Sequence, residues 1–307
     1  MKPLALVGPT ASGKTEASIP LARALGAEIV SVDSMLVYRG MDVGTAKPGP
    51  GERAAVRHHM LDVTDPSEPF SVVGFQRLAQ EAMDEVERGG RRTLLVGGSG
   101  LYFRAVVDRL EFPGTEAATR ALLEAEVAAA GPQALHRRLG TLDPVAAARI
   151  EPANARRTVR ALEVAAVTGR PFSSFAGTWE RYAPEHVRAA GVDVPRSVLH
   201  ERIERRVEAM MPALLAEAAA LLDSGFGGFF TATQAIGYVE AAACLHGRLS
   251  ETEAAARTIK RTKALARRQM AWFRRDPRIR WFPVGREGAS GAVEAMIGYL
   301  GAREDPE

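Results

Sequence analysis

The sequence predicts an α/β fold, in which a P-loop-containing parallel sheet is flanked by helices and accompanied by an all-helical insertion domain. Two observations predict it. Short apolar runs alternate with helical periodicity at both ends of the chain, as in doubly wound sheets. The middle of the chain instead carries short, alanine-rich helical segments and no strand signal. We therefore expect a core domain of residues 1–111 and 189–307, and a helical insertion domain of residues 112–188.

The first strands of the core are predicted by apolar runs that end in glycine or polar residues. "KPLALVG" reads as the first strand, and the helical pattern from Gly13 to Leu25 follows it. "AEIVSVDS" and "RRTLLVGGSG" read as two more strands, separated by the helical segment "PFSVVGFQRLAQEAMDEVERGG" with its Gly-Gly stop. Ligands of such sheets bind beyond the carboxyl ends of the strands. One site is therefore expected to collect all three strand ends.

The insertion and the C-terminal part of the core are predicted mainly as helices. "NARRTVRALEVAAVTG" is the longest helical segment of the insertion, and the next strand signal is "VRAAGVDVP". A long helix should follow over "RSVLHERIERRVEAMMPALLAEAAALLDSG". Ser250 and Glu253 have the spacing of a capping box, which indicates the start of another helix. "RIRWFPV" is expected to add a last strand.

Composition excludes several classes of protein. Hydrophobic residues make up 46% and charged residues 25% of the 307 residues, as in ordinary globular proteins. We expect no membrane span, since no apolar run is long enough, and no signal segment, since Gly8 ends the first apolar run. Cys244 is the only cysteine, so a disulfide framework and a thiolate metal cluster are both excluded. The expected location is the reducing cytoplasm.

"GPTASGKT" has the spacing of a phosphate-binding loop, with four residues between Gly8 and Gly13, then Lys14 and Thr15. In such loops the backbone N–H groups and the following helix N-terminus surround phosphate oxygens. The lysine neutralises charge, and the Thr15 hydroxyl can hold Mg²⁺. A strand before the loop and a helix after it are the context that the motif requires. The sequence therefore predicts a phosphate site, for which ATP is the default ligand.

Two other strand ends carry candidate residues. Asp33 follows the second strand, where it would either help to hold magnesium or act as a general base, and spacing does not separate these roles. "GGSGLY" follows the third strand and offers the Ser99 hydroxyl. His58, His59 and Asp62 in "RHHMLD" match neither a helical nor a zincin spacing of metal ligands.

Basic residues concentrate in a way that favours an anionic polymer as partner. The net charge is only +3, yet residues 257–280 contain ten Lys or Arg and one acidic residue, Asp276. A solvated helix face is the alternative interpretation. One face of this helix should carry Lys260, Lys263, Arg267 and Arg274, whereas Trp272 and Phe273 are expected in the core. "NARRTVR" adds a second arginine-rich helix, and the two helices together favour a folded RNA.

Seven segments in this order resemble the tRNA dimethylallyltransferases, also called isopentenyltransferases. They are "GPTASGKT", "VDSMLVYRGMDVGTAKP", "HHMLDV", "GGSGLYFRA", "RRTVRALEV", "QAIGYVE" and "TKALARRQMAWFR". The resemblance covers residues 4 to 275. It implies transfer of a dimethylallyl group from dimethylallyl diphosphate to the exocyclic N6 amine of the adenosine 3′ of the anticodon in tRNA. It also implies Mg²⁺ as cofactor, and we expect a monomer.

The resemblance implies roles for residues that match the family's motifs. It implies that Asp33 is the general base and that Lys14 and Ser99 are further catalytic residues. Ser99 stands where the family usually has a threonine. Thr15 is the implied ligand of Mg²⁺. The diphosphate-binding loop consists of Gly8, Pro9, Thr10, Ala11, Ser12, Gly13, Lys14 and Thr15. The implied tRNA contacts are Asp33, Ser34, Met35, Leu36, Ser99, Arg120, Arg156, Arg157, Thr158, Val159, Arg160, Gln234, Ala235, Ile236, Gly237, Tyr238 and Val239.

The basic-helix motif departs from the family at two positions. Leu265 replaces a tyrosine and Ala271 replaces a threonine, so the contacts of those two hydroxyl groups are lost while the charges remain. Two other functions fit parts of the pattern. One is an ATP-dependent kinase for a small molecule or nucleoside, and the other is a non-catalytic RNA-binding protein.

Overall fold

The structure is a computed structural model that describes residues 2–179, 181–225 and 232–302. Within it the chain forms two compact units, one of residues up to Arg109 together with those from Ala183 onward, and one of Leu110–Tyr182. The sequence places the second boundary at residue 188. In the structure the short 3₁₀ turn Pro184–His186 belongs to the first unit, where His186 Nδ1 lies 3.2 Å from Asp108 Oδ1.

The first unit is built on a parallel sheet, which confirms the predicted α/β class. Within the described residues the sheet has six strands in the order β3-β2-β4-β1-β5-β6. The strands are β1 Leu4–Val7, β2 Ala27–Ser31, β3 His58–His59, β4 Arg92–Gly97, β5 Arg188–Asp193 and β6 Ile279–Pro283. All residues of β1 are buried, because strands on both sides and helices on both faces cover it. Strands β2, β4 and β1 are neighbours, so their carboxyl ends lie side by side.

The first half of this unit has four helices among its described residues, and the first and third begin and end near the predicted positions. They are α1 Lys14–Ala24, α2 Pro50–Ala55, α3 Val72–Arg88 and α4 Gly100–Val107. Ser71 caps the N-terminus of helix α3, and its Oγ accepts a hydrogen bond from the Gly74 N–H at 3.1 Å. It buries Phe75, Ala79, Met83 and Val86, at the three- and four-residue spacing of one helix face. The apolar periodicity of the sequence is thus explained by one buried stripe.

The C-terminal helices of the first unit are α9 Arg196–Asp223, α10 Tyr238–Leu245, α11 Glu251–Phe273 and α12 Val293–Gly301. The predicted capping box at the start of α11 is confirmed. Glu253 N–H donates to Ser250 Oγ at 3.2 Å, and Ser250 N–H donates to Glu253 Oε2 at 2.8 Å. The expectation that Trp272 is a core residue was wrong, since 36% of it is exposed, whereas Phe273 is buried. Adjacent helix residues point about 100° apart, so Phe273 can face the core while Trp272 lies at its edge.

Helices are the regular structure of the second unit within its described residues. Its helices are α5 Ala117–Ala130, α6 Pro132–Leu142, α7 Pro144–Arg149 and α8 Ala155–Thr168. They pack on a separate small core that contains Leu135, Leu139 and Leu162. A hydrophobic core of its own makes this unit a compact body rather than a long loop. No described helix combines the length and apolar character needed to cross a membrane.

Candidate active site

The carboxyl ends of β1, β2 and β4 open into one cavity of about 820 Å³. Residues from all three strand ends line it, including Thr10–Thr15 after β1, Asp33 after β2, and Gly97 and Gly98 at the end of β4. The expectation that one site collects these three strand ends is therefore confirmed. Helices α9 and α11 complete the walls with Arg202, Arg205, Arg206, Ala209 and Gln269.

The phosphate loop makes hydrogen bonds with residues that are distant in sequence. Thr10 N–H donates to Gln269 Oε1 of α11 at 2.8 Å, and the Arg206 guanidinium of α9 donates to Thr10 Oγ1 at 2.8 Å. The Ser12 Oγ is buried and has no hydrogen-bond partner among the described residues. Buried polar atoms are normally satisfied, so an atom like this in a cavity wall indicates a polar ligand. Helix α1 begins at Lys14, directly after the loop, and directs its N-terminal N–H groups to the same place.

Lys14 is the cation at the centre of this loop. Its ammonium donates to the carbonyl oxygen of Pro9 at 2.6 Å. Burial lowers the pKa of Lys14 to about 8, the carboxylate of Asp33 opposes this effect, and the charge of Arg206 adds to it. Lys14 and Arg206 are two cations at one wall of the cavity, and an anion such as a diphosphate would offset their repulsion.

Asp33 and Ser99 belong to two turns that contact each other. Asp33 Oδ1 accepts a hydrogen bond from Met35 N–H at 2.9 Å, which fixes the orientation of the carboxylate beside the cavity. Ser34 N–H donates to Ser99 Oγ at 3.3 Å. The Ser99 hydroxyl therefore supports the turn that carries Asp33. Gly97 permits this approach, because a Cβ there would lie 2.3 Å from the Val32 carbonyl oxygen.

Arg202 and Arg206 are site residues that the sequence analysis missed. Arg202 donates to the carbonyl oxygens of Gly285 at 2.8 Å and Ser12 at 3.4 Å, and Arg206 is mostly buried with a Nε that has no partner among the described residues. Burial lowers the pKa of Arg206. The sequence signal was the spacing of four in "RIERR", which puts both guanidinium groups on one helix face. Periodicity alone does not tell which element that face meets.

The cavity offers hard oxygen donors suited to a divalent cation. Thr15 and Asp33 both line it, and no group of three or more His, Cys, Asp or Glu that could hold a metal occurs in the described part of the chain. Mg²⁺ is usually held by one or two protein oxygens together with water and substrate phosphates. The residues present therefore fit a magnesium ion that a bound diphosphate helps to hold.

The His58, His59 and Asp62 side chains of the "RHHMLD" segment make contacts within the protein. His59 Nε2 lies 2.7 Å from Glu28 Oε2, and His58 Nδ1 lies 2.8 Å from the Val56 carbonyl oxygen. Burial lowers the pKa of His58. Asp62 is occupied by an ion pair with Lys47 at 2.6 Å and another with Arg53 at 2.8 Å. These contacts explain the segment as a structural element next to the cavity.

The RNA contacts expected in the first unit have different exposures. Ser34, Met35 and Leu36 are partly exposed, and Leu36 lines the cavity. In the segment 234–239, Gln234 and Val239 are exposed, Ile236 is partly exposed, and Ala235, Gly237 and Tyr238 are buried. On α11, Lys260 and Arg267 are exposed, whereas Lys263 pairs with Glu204. Arg274, directly after the helix, pairs with Asp193 at 2.7 Å. The basic face is thus partly neutralised by the protein itself.

In the second unit the expected RNA-binding residues fall into two groups. Arg156 and Arg157 of α8 are exposed, whereas Thr158 and Val159 are buried. Arg120 and Arg160 both donate to the buried carboxylate of Glu163, at 2.7 and 2.8 Å. Burial alone would raise the pKa of Glu163, but the hydrogen bonds from these two arginines lower it below its usual value. Arg156 and Arg157 therefore lie at the surface, whereas Arg120 and Arg160 belong to the ion cluster around Glu163.

Comparisons with known proteins identify the family of this chain. A family model described as IPP transferase matches residues 36–276. A curated tRNA dimethylallyltransferase from Salinispora arenicola is 51% identical over 286 residues, which cover 93% of this chain and 83% of the relative. One from Acidothermus cellulolyticus is 50% identical over 302 residues, which cover 97% of this chain and 94% of the relative.

Solved structures show the same relationship. A full-length tRNA isopentenylpyrophosphate transferase from Bacillus halodurans is 39% identical and superposes with a TM-score of 0.71, covering 98% of this chain and 96% of that one. A eukaryotic dimethylallyltransferase acting on tRNA, 22% identical, has a TM-score of 0.78 over 99% of this chain and 81% of that one, and it supports the fold alone. The family match extends over most of the chain, from Leu36 in the loop after β2 to Asp276, just after helix α11. The chain belongs to the IPP transferase family.

Proposed function

We propose that this protein transfers a dimethylallyl group from dimethylallyl diphosphate to the N6 amine of the adenosine 3′ of the anticodon in tRNA. One observation carries the proposal. The phosphate loop and Asp33 line the same cavity, so a place for a diphosphate lies beside a carboxylate that can accept a proton. The curated relatives named tRNA dimethylallyltransferase support the same reaction.

The acceptor needs help to react. The adenine amine is a poor nucleophile, because its lone pair is delocalised into the ring. As the bond from N6 to the first allylic carbon forms, the amine must lose a proton, and we assign Asp33 as the general base that accepts it. The Met35 N–H bond holds the carboxylate in place for this transfer. The target base must also leave its stack to reach the cavity.

The donor needs a stabilised leaving group. The bond between the first allylic carbon and the diphosphate oxygen breaks with its electron pair, which remains on the diphosphate. Backbone N–H groups of the loop, the Lys14 ammonium and the Arg206 guanidinium are placed to stabilise that charge. When bound, Mg²⁺ supplies further neutralisation of the diphosphate, and the Thr15 hydroxyl would hold it. A phosphate loop can therefore serve an enzyme that hydrolyses nothing.

Release of inorganic diphosphate tests the proposed reaction. With dimethylallyl diphosphate and unmodified tRNA, the protein should release diphosphate only when both substrates are present. An ATP-dependent kinase on the same loop is the alternative, and it would form ADP from ATP without any need for tRNA. Formation of ADP at a rate above that of diphosphate release would contradict the proposal.

Donor binding should weaken as the pH rises through about 8. Below the pKa of about 8, Lys14 of the free protein is protonated and attracts the diphosphate. Above it, binding must first bring one proton to Lys14, so the Kd should rise up to about tenfold per pH unit. Phosphate groups, with a pKa near 6, stay ionised throughout this window. Calorimetric titration with dimethylallyl diphosphate from about pH 7 to about pH 9.5 brackets the pKa of Lys14 and measures the change in Kd. Lys14→Met is the control and should abolish the pH dependence.

A further inference from the structure

Glu217 of α9 binds the backbone of the loop that follows β2. Its carboxylate accepts hydrogen bonds from three consecutive N–H groups, those of Asp42, Val43 and Gly44, at 2.9, 2.9 and 3.4 Å. Successive N–H groups directed at one anion form a nest, and bonds to an ionised acceptor are stronger than neutral ones. A helix far away in sequence thereby fixes the 42–44 backbone.

Tyr238 of α10 completes this arrangement. Its hydroxyl donates to Glu217 Oε1 and accepts a hydrogen bond from Gly44 N–H at 3.2 Å. The ring packs directly on the loop, because a Cβ at Gly44 would lie 2.4 Å from Tyr238 Cε2. The Tyr238 side chain is completely buried, so it has no exposed surface for an RNA contact. These contacts indicate a role inside the protein for a residue that the family resemblance places among the RNA contacts.

The segment held by Glu217 and Tyr238 reaches the proposed active site. Thr45 and Ala46 line the same cavity as Asp33, together with Leu36 and Pro48. The other side of the segment is braced by Lys47, whose ammonium donates to the Tyr38 carbonyl oxygen at 2.6 Å. These four lining residues carry no charge, in contrast to Lys14 of the phosphate loop. They therefore suit the allyl group and the acceptor base rather than the diphosphate.

We propose that Glu217 and Tyr238 are positioning residues, which hold the 42–46 segment so that the uncharged parts of the substrates lie against Asp33. Neither residue belongs to the cavity lining, so both act through the backbone of that segment. The inference rests on the proposed function, because it names residues for the same transfer. The two ends of the cavity are held by different residues, because the phosphate loop is bonded to Gln269, Arg202 and Arg206 and not to Glu217 or Tyr238.

Glu217→Gln and Tyr238→Phe test the proposal in the full chain. The amide nitrogen of glutamine cannot accept the N–H bonds, so Glu217→Gln should lower kcat about tenfold or more, and Tyr238→Phe about threefold. The Kd for inorganic diphosphate should stay within about twofold of the wild-type value, because the phosphate loop is held by other residues. Glu208→Gln is the matched control, an exposed glutamate of the same helix, and it should leave both values unchanged.

Hydrogen exchange provides a readout that needs no activity. The amides of residues 42–44 should exchange faster in Glu217→Gln and Tyr238→Phe than in the wild type and in Glu208→Gln. Unchanged exchange at these amides would overturn the proposal. So would an unchanged kcat, or a loss of diphosphate affinity by the same factor as kcat, which would indicate a general structural role. If the wild type itself fails to modify tRNA, the proposed function fails, while the exchange rates still decide whether Glu217 and Tyr238 hold the loop.

Discussion

Replacing Asp33 by alanine is expected to lower kcat about 10²–10⁴-fold, the usual contribution of a general base. The affinity for tRNA should change by about twofold or less, because one carboxylate in a cavity adds little to a large RNA interface. Single-turnover rates with tRNA and dimethylallyl diphosphate give the first quantity, and direct tRNA binding gives the second. A rate near that of the wild type would contradict the general-base assignment.

Asp33→Asn and Asp84→Asn sharpen this experiment. Asparagine keeps the shape of Asp33 but cannot accept the proton, so it should be nearly as slow as alanine. Asp84 is an exposed aspartate of α3, and its variant should be as fast as the wild type. Raising the Mg²⁺ concentration separates the two roles that spacing left open for Asp33. A general base predicts no recovery of the rate, whereas a role in holding magnesium predicts recovery.

Lys14→Ala is expected to lower kcat/KM for the donor about 10²–10³-fold, the typical cost of removing one donor to a developing negative charge. The ammonium lies within the phosphate loop, bonded to Pro9, and it lines the same cavity as Asp33. The Kd for tRNA should stay within about twofold of the wild-type value, since the exposed basic residues of α8 and α11 are unchanged.

Steady-state kinetics with varied dimethylallyl diphosphate, together with tRNA binding in the absence of donor, measures the two effects of Lys14→Ala. Lys14→Arg is the companion variant. It keeps the positive charge, so it should recover part of the lost kcat/KM. Loss of donor use and tRNA binding by the same factor would contradict the role assigned to Lys14.

The strand ends of the core could be predicted from sequence because each carries a local signal. The apolar runs that became β1, β2 and β4 end directly in the phosphate loop, Asp33 and the "GGSG" turn. The carboxyl ends of parallel strands lie at one edge of the sheet, so these three segments come together in any protein with this fold. The strand β3 was missed, because two residues, His58 and His59, are too few to show a period.

The remaining site residues depend on contacts between elements that are distant in sequence. Arg202, Arg206 and Gln269 have ordinary helical surroundings, and only the packing of α9 and α11 against the sheet brings them to the phosphate loop. Trp272 shows the opposite error, since an apolar residue at a helix end can remain exposed. Glu217 lies in no motif, and Tyr238 lies in "QAIGYVE", which the resemblance links to RNA. Neither pattern shows that both side chains bind the backbone of residues 42–44.

The central claim is that the phosphate loop binds the diphosphate that leaves the allylic donor. Mass analysis of nucleosides tests this claim most directly. Unmodified tRNA should be incubated with the protein, Mg²⁺ and either dimethylallyl diphosphate or ATP, then digested to nucleosides. We expect adenosine to gain one dimethylallyl group with the allylic donor and to stay unchanged with ATP. Unmodified adenosine in the presence of the allylic donor, or a phosphorylated product with ATP, would contradict it.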